Sequence, residues 1–361
     1  MHKRNSARKA SVAIAGMLFA AGSHAESSIT LYGIADAGLI FLTRTQNAAG
    51  GNGGKLIGFT DSGLTPTLFG MQGVEDLGGH LSAEFKLESG VNIGTGGYNN
   101  SNGNLFGRQA YVGLKGGFGE TKAGLQFSPF FLTLLALDPR GFSQFGSGVP
   151  IYLNNAVATG VLNPNALSYT TPQIAGLQTS VMLGLGGVAG NFSAGRQWSA
   201  NISYQWQDLE INAAFYDGNP GSSVQTIPPT TVEFEGRMIG ASYTYEHVIA
   251  KVSFTNYKVA NTGQNNNVCA AGLSYALAPY LSLDGGVWFV SNRGDTSSHS
   301  LMSALGASYF LSKATTLYAQ VGMVHNQGSA NLGLNVGAAP TSLYAPAGTT
   351  VGANVGMRHF F

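Results

Sequence analysis

Charge is scarce in this 361-residue chain: Asp, Glu, Lys and Arg together make up 10% of it, against about 25% in an ordinary soluble domain. A water-soluble protein of this length covers itself with charge, so much of this exterior is expected to face something other than water. Cysteine is almost missing as well. Cys269 is the only one, which excludes an internal disulfide; within VCAAGLSYAL it reads as a small apolar strand residue. Long apolar runs are also missing. After residue 25 no stretch approaches 18 consecutive apolar residues, which excludes a helical membrane protein. A lipid-facing exterior without apolar helices leaves a closed transmembrane sheet, the other structure that satisfies its own backbone in hydrocarbon.

A basic surface is absent too, once the amino terminus is set apart. Lys3, Arg4, Arg8 and Lys9 precede an apolar run from Ala10 to Gly22, and Ser23-His24-Ala25 is a small-x-small cleavage site. This is the pattern of a secretory signal peptide, so residues 1–25 are expected to be removed and residues 26–361 to form one domain beginning at Glu26. That leader carries 4 of the 18 basic residues and none of the 17 acidic ones. The remainder has fourteen against seventeen, a net charge of −3, and a nucleic-acid partner is not expected.

What the chain has in abundance is glycine, 52 residues of 361, and short segments that alternate with period 2. In Arg196 to Gln207, Trp198, Ala200, Ile202, Tyr204 and Trp206 fall on one face of a strand and Ser199, Asn201, Ser203, Gln205 and Gln207 on the other. Ile239, Ala241, Tyr243 and Tyr245 alternate with Gly240, Ser242, Thr244 and Glu246, and Ala250, Val252 and Phe254 with Lys251, Ser253 and Thr255. Alternation alone also suits a soluble β-sandwich with one wet face. Two features favour the membrane. Trp198, Trp206, Tyr243, Tyr245, Tyr309 and Phe361 fall near segment ends on the apolar face, as an interfacial girdle requires. Short turns, such as Gln207-Asp208 and Glu246-His247, also alternate with long Gly/Asn/Ser runs near 43–54, 94–104, 186–195, 217–233, 259–267, 291–299 and 326–349. Short turns on the periplasmic side and long external loops are the habit of outer-membrane barrels. Counting between the breaks predicts an all-β fold, a 16-stranded antiparallel transmembrane β-barrel from about Ser28 to Phe361. A barrel that wide leaves an aqueous lumen.

One stretch breaks the pattern. From Ser128 to about Asn163 no period of 2 appears, and the segment is too rich in Phe, Leu, Ile and Tyr to be a disordered linker. Its apolar content calls for burial, and the predicted place is the lumen, with Phe130 to Leu137 as a short helix against the inner wall. Catalytic and cofactor patterns are not found. His80, His247, His299, His325 and His359 have no metal-ligand spacing, no Gly-x-Ser-x-Gly elbow occurs, and the Gly50–Gly54 run precedes no helix, so no enzyme activity, metal or cofactor is expected.

Several stretches in order resemble the trimeric general-diffusion porins of the Gram-negative outer membrane, especially those of β-proteobacteria: SITLYGIADAG from Ser28, FGMQGVEDLGG from Phe69, RQAYVGL from Arg108, LSYTTP from Leu167 and the final VGMRHFF. The resemblance implies passive diffusion of small hydrophilic solutes and ions, a homotrimer in outer-membrane lipid and lipopolysaccharide, and a terminal Phe361 read by the barrel-assembly machinery. It also implies a third loop that folds inward and opposes its carboxylates to wall arginines. Only part of that charge pattern is kept. Arg108 matches a wall arginine, Leu68 and Leu125 stand where arginines are usual, and Gln144-Phe145-Gly146 carries an amide in place of the usual acid. Asp138 and Arg140 are the only charges between Lys122 and Arg196, and the Asp-Pro-Arg-Gly sequence also suits a local turn. The expected constriction therefore comprises Arg108, Asp138, Arg140 and Gln144 and has weak ion selectivity, with Arg108 the main source of any anion preference. If Arg108 and Ala110 face inward, Tyr111 and Gly113 face outward into the trimer interface. A substrate-specific channel and a closed structural or adhesive barrel are the alternative readings.

Overall fold

The computed structural model of the protein describes residues 28–224, 231–338 and 340–361; the segment read as a signal peptide lies outside the described residues. Strands β1 (Ser28–Gln46), β2 (Asn52–Asp61), β3 (Leu68–Gly78), β4 (Leu81–Gly90), β5 (Gln109–Gly116) and β6 (Gly119–Gln126) precede two helices, α1 (Pro129–Leu137) and α2 (Gly148–Ala156). Then come β7 (Asn163–Thr170), β8 (Leu177–Gly184), β9 (Gln197–Trp206), β10 (Leu209–Gly218), β11 (Phe234–Tyr245), β12 (Val248–Val259), β13 (Gln264–Ala278), β14 (Leu281–Asn292), β15 (His299–Phe310), β16 (Thr315–Gln327) and β17 (Gly348–Phe360). Strands that follow one another pair antiparallel, except that β2 and β3 both pair with β1, and β17 returns to β1 with Gly38 opposite Gly356, which closes the sheet.

The seventeen strands make sixteen staves. β2 and β3 both pair with β1, β2 opposite residues 37–46 and β3 opposite 28–34, so together they form one stave interrupted at 62–67. The interruption, Ser-Gly-Leu-Thr-Pro-Thr, contains Pro66, which cannot donate to a ladder. Asp36 on β1 supplies what the ladder lacks: its carboxylate accepts from the backbone N–H of Gly63 (3.1 Å), Leu64 (3.0 Å) and Thr65 (2.7 Å), and from the Tyr318 hydroxyl (2.6 Å).

The predicted alternation holds along the wall. Leu39, Ile57, Val112, Ile239, Leu305 and Val321 are exposed outward, while their neighbours Ile40, Met238, Ala304 and Gln320 are buried inward. Such a surface is stable only against hydrocarbon. Trp198 and Trp206, at opposite ends of β9, are both exposed, in keeping with a girdle at each interface. One facing is reversed relative to expectation. Glu84, Lys86 and Glu88 of β4 stand opposite Gly113, Tyr111 and Gln109 of β5, and Lys122 lies over the Tyr111 ring at 5.1 Å. Tyr111 and Gly113 thus share the face of the charged residues, and Val112 and Leu114 are the outward pair. Arg108 sits in a bend just before β5; the bend, not strand alternation, turns its side chain to that face, so counting by twos from Arg108 gives the wrong parity.

The connector between β6 and β7 carries both helices. Ser128 caps α1, its Oγ accepting from the Phe131 N–H at 3.1 Å, with Pro129 at the first helical position. α1 packs against β9, β10 and β11 through Phe130, which is fully buried among Tyr216, Phe234 and Tyr257 at ring separations of 6.2 to 6.4 Å. Gly236 makes the room: a Cβ there would stand 2.5 Å from the Phe130 ring. Burying one phenyl ring in this way contributes about 2–3 kcal/mol. The wall residues in this cluster lie on the face opposite the exposed apolar one.

Candidate functional site

Fixed charge gathers in two separate clusters, one on β4 to β6 and one where the connector meets β14 and β16. The first is a ladder on β4 to β6. Because strand side chains repeat every second residue, Glu84, Lys86 and Glu88 line up on one face, and β6 adds Glu120 and Lys122 beside them. Glu88 accepts from the Arg108 Nε at 2.9 Å and lies 3.6 Å from the Lys86 Nζ; the Tyr32 hydroxyl donates to its second oxygen at 2.8 Å. Lys122 reaches Glu120 at 2.7 Å and Glu84 at 3.7 Å. Three cations and three carboxylates are therefore all paired, with side chains between 5% and 24% exposed. Arg108 also lies over the Phe127 ring at the root of the connector.

The second cluster is the connector tip. Asp138 ends α1 and closes a turn with Gly141, whose N–H donates to the Asp138 carbonyl at 3.2 Å. One carboxylate oxygen accepts from the N–H groups of Arg140 and Phe142, each at 2.9 Å, and the other from Gly148 at the start of α2 at 2.7 Å. Burial pushes the Asp138 carboxyl up from the ordinary range, while these N–H groups and the neighbouring Arg140 charge pull it down. Arg140 itself points away from Asp138. Its Nε donates to Asp284 on β14 at 2.5 Å, one terminal nitrogen donates to the carbonyls of Phe145 (2.6 Å) and Gly146 (2.9 Å), and the other donates to the Gln320 amide on β16 at 2.6 Å. Its side chain is 0% exposed. Gly306 leaves the space for this pair, since a Cβ there would come 2.5 Å from the guanidinium. Gln144 is buried and works through its backbone, its N–H to the Leu64 carbonyl in the 62–67 interruption (3.4 Å) and its carbonyl to the Val336 N–H (3.1 Å).

The four residues singled out from the sequence thus fall into two places. Asp138, Arg140 and Gln144 are together at the connector tip, where the two charges are engaged in holding it; Arg108 belongs to the separate ladder of β4 to β6. Sequence reasoning missed Lys86, Glu88, Lys122 and Asp284. For the first two the signal was present, because Glu84, Lys86 and Glu88 recur at period 2 in a strand. Nothing local marks Asp284 as the partner of a residue 144 positions away. Leu68 is on the inward face, as its pairing with Ile34 requires, and is buried. In the Gly124-Leu125-Gln126 stretch the inward residue is Gln126, bonded to Ser168 and the Ala166 carbonyl.

Comparison with known proteins agrees with this architecture. The family model described as "Gram-negative porin" matches residues 10–329. The chain is 33% identical over 174 residues to an outer membrane porin protein of Bordetella pertussis, covering 45% of this chain and 44% of that one. It is 33% identical over 175 residues to outer membrane porin protein 32 of Delftia acidovorans, covering 47% of each. The chain spans about half the length of the curated relatives it matches. Among solved structures, an anion-selective porin from Comamonas acidovorans superposes with a TM-score of 0.77 at 25% identity, over 93% of this chain and 100% of that one. The Salmonella typhi OmpF porin does so with a TM-score of 0.61 at 18% identity, over 92% and 97%. With a closed sixteen-stave barrel, an apolar exterior and a family match across most of its length, the chain belongs to the Gram-negative porin family.

Proposed function

We propose that this protein is an outer-membrane channel through which small hydrophilic solutes and ions diffuse passively, a channel rather than an enzyme. The observation that carries the reading is the pairing of an apolar exterior with an interior divided between a packed aromatic cluster and a partly exposed charged wall. The connector, docked by α1 on the β9–β11 side and tethered at its tip by Arg140, lies across the lumen and sets its narrowest point. Solutes pass between the tip and the ladder of Lys86, Glu88, Arg108 and Lys122. Reconstituted in liposomes, the protein should admit sugars at rates that fall steeply with size; a barrel that admits none would be structural or adhesive.

Selectivity follows from the pairing. Two unit charges about 10 Å apart across a watery gap interact by roughly 0.4 to 1.7 kcal/mol at dielectrics of 80 and 20, and salt near 0.1 M screens over about that distance. A ladder with equal numbers of each sign leaves little net field, so the native channel should be weakly selective. Arg108→Ala leaves Glu88 with Lys86 alone and should move the reversal potential under a KCl gradient toward cation preference, and Glu88→Gln should move it the other way. Unchanged potentials in both variants would place the selective charges elsewhere.

The assembly is a homotrimer in this reading. One solved relative, OmpT of Vibrio cholerae, is described in a trimer form. Here an apolar depression of about 810 Å³ lies on the outside of β3 to β7, walled by Phe85, Val112, Leu114, Ala123 and Leu167. Val112→Arg should abolish an oligomer that survives SDS without heating, while a native protein that never runs as one would sink the trimer. The contacts with lipopolysaccharide and the recognition of Phe361 by the assembly machinery belong to the same reading. So does the leader: the mature protein isolated from outer membranes should begin at Glu26 by mass spectrometry.

A further inference from the structure

Away from both charge clusters, the connector and the wall enclose a cavity of about 230 Å³, room for about seven waters at ~30 Å³ each. Six carboxamides line it: Asn154 and Asn155 of α2, Gln264 and Asn266 of β13, Asn292 of β14, and Asn331 in the loop before β17, with three serines between them. No lysine, arginine or carboxylate lines it, and His299 is the one titratable group at its edge.

Four of the six amides hold one another in pairs. Asn266 Nδ2 donates to Asn155 Oδ1 at 2.6 Å, Asn155 Nδ2 to the Ile151 carbonyl at 2.7 Å, and Asn154 Nδ2 to Asn331 Oδ1 at 3.1 Å. What stays without a partner among the described residues is a mixed set: the acceptors Asn154 Oδ1 and Asn266 Oδ1, the donor Asn292 Nδ2, and both ends of the Gln264 amide. An anion needs donors only and a cation acceptors only, each with compensating charge. A hydroxyl both donates and accepts, and so matches a neutral array of both kinds.

We propose that this cavity is a binding subsite for a small neutral polyhydroxyl solute, a sugar or polyol, retained on the connector side of the lumen. The inference rests on the channel reading for access to the cavity, and on the amide geometry for its chemistry. It assigns a solute class to a region where the charged ladder has no part.

The test is current noise in planar bilayers, with the native protein in KCl and D-glucose added on the side of the long loops. Noise relative to each channel's own open current should saturate with D-glucose and show a weaker response to D-gluconate at the same concentration. In the double variant Gln264→Leu/Asn154→Leu, which keeps the volume and removes hydrogen-bonding groups, half-saturation should rise by about tenfold or more. Gln264→Leu alone, whose side chain holds nothing else together, should give a smaller rise in the same direction and serves if the double variant does not assemble. A response that stays linear in D-glucose, half-saturation unmoved in the variants, or gluconate bound as well as glucose would each overturn the proposal. A native protein that carries no current at all would instead overturn the channel reading.

Discussion

Replacing Arg140 by alanine is expected to widen the channel. The guanidinium is the hub of the connector tip, since it holds the Phe145 and Gly146 carbonyls of its own segment and ties them to Asp284 and Gln320 on two different staves. Its removal leaves Asp284 without its counter-ion and two carbonyls without their shared donor. Breaking a buried pair by deleting one partner costs about 3–5 kcal/mol, and most of that loss falls on the docking of the tip, because the barrel ladders themselves are untouched. Single-channel conductance should rise, current records should become noisier, and liposomes should swell with sugars too large for the native protein. Arg140→Lys keeps the charge but not the planar fork that serves several acceptors at once, so it should fall between native and alanine. Should conductance and size cut-off stay at native values in Arg140→Ala, the connector tip is not the constriction.

The largest stability effect is expected from Asp36→Ala. Three backbone N–H groups of the interrupted stave depend on this one carboxylate, together with the Tyr318 hydroxyl, and Asp36 is fully buried. Each buried donor left without an acceptor costs about 1–3 kcal/mol, so even with partial relaxation the loss should be several kcal/mol. The effect also reaches the pore. The Gly63 carbonyl accepts from Gln320 and the Leu64 carbonyl from Gln144, so a loosened 62–67 segment removes part of the support under the connector tip. The temperature at which the folded band disappears from unheated-to-heated gels, or the guanidinium midpoint, should drop markedly, with Asp36→Asn intermediate because it retains one acceptor oxygen. A midpoint within experimental error of native would show that water or backbone rearrangement replaces the carboxylate at little cost.

The barrel was legible because its determinants are local and repeated. Period-2 alternation, aromatic residues at segment ends and the contrast between Gln207-Asp208 or Glu246-His247 and the long polar runs each recur many times, so a misread segment does not change the fold. The stave interruption was harder to see, since Pro66 disrupts a ladder but says nothing of Asp36, thirty positions earlier, as the group that repairs it.

The site was legible only in part. Sequence by itself determined that the chain closes a sixteen-stave sheet with lipid outside, that residues 128–163 must find apolar burial, and that a short helix covers Phe130 to Leu137. Tertiary structure alone decided which charges meet. Arg140 pairs with Asp284 rather than with Asp138, Glu88 gathers Arg108, Lys86 and Tyr32, and Tyr111 faces Lys122 because a bend at Arg108 resets the alternation. The physical reason is range. Strand facing and helix capping are set by neighbours within a few residues, whereas an ion pair across a barrel depends on stave register and on the path of the connector. Those are fixed only when the sheet has closed and Phe130 has found its place among Tyr216, Phe234 and Tyr257.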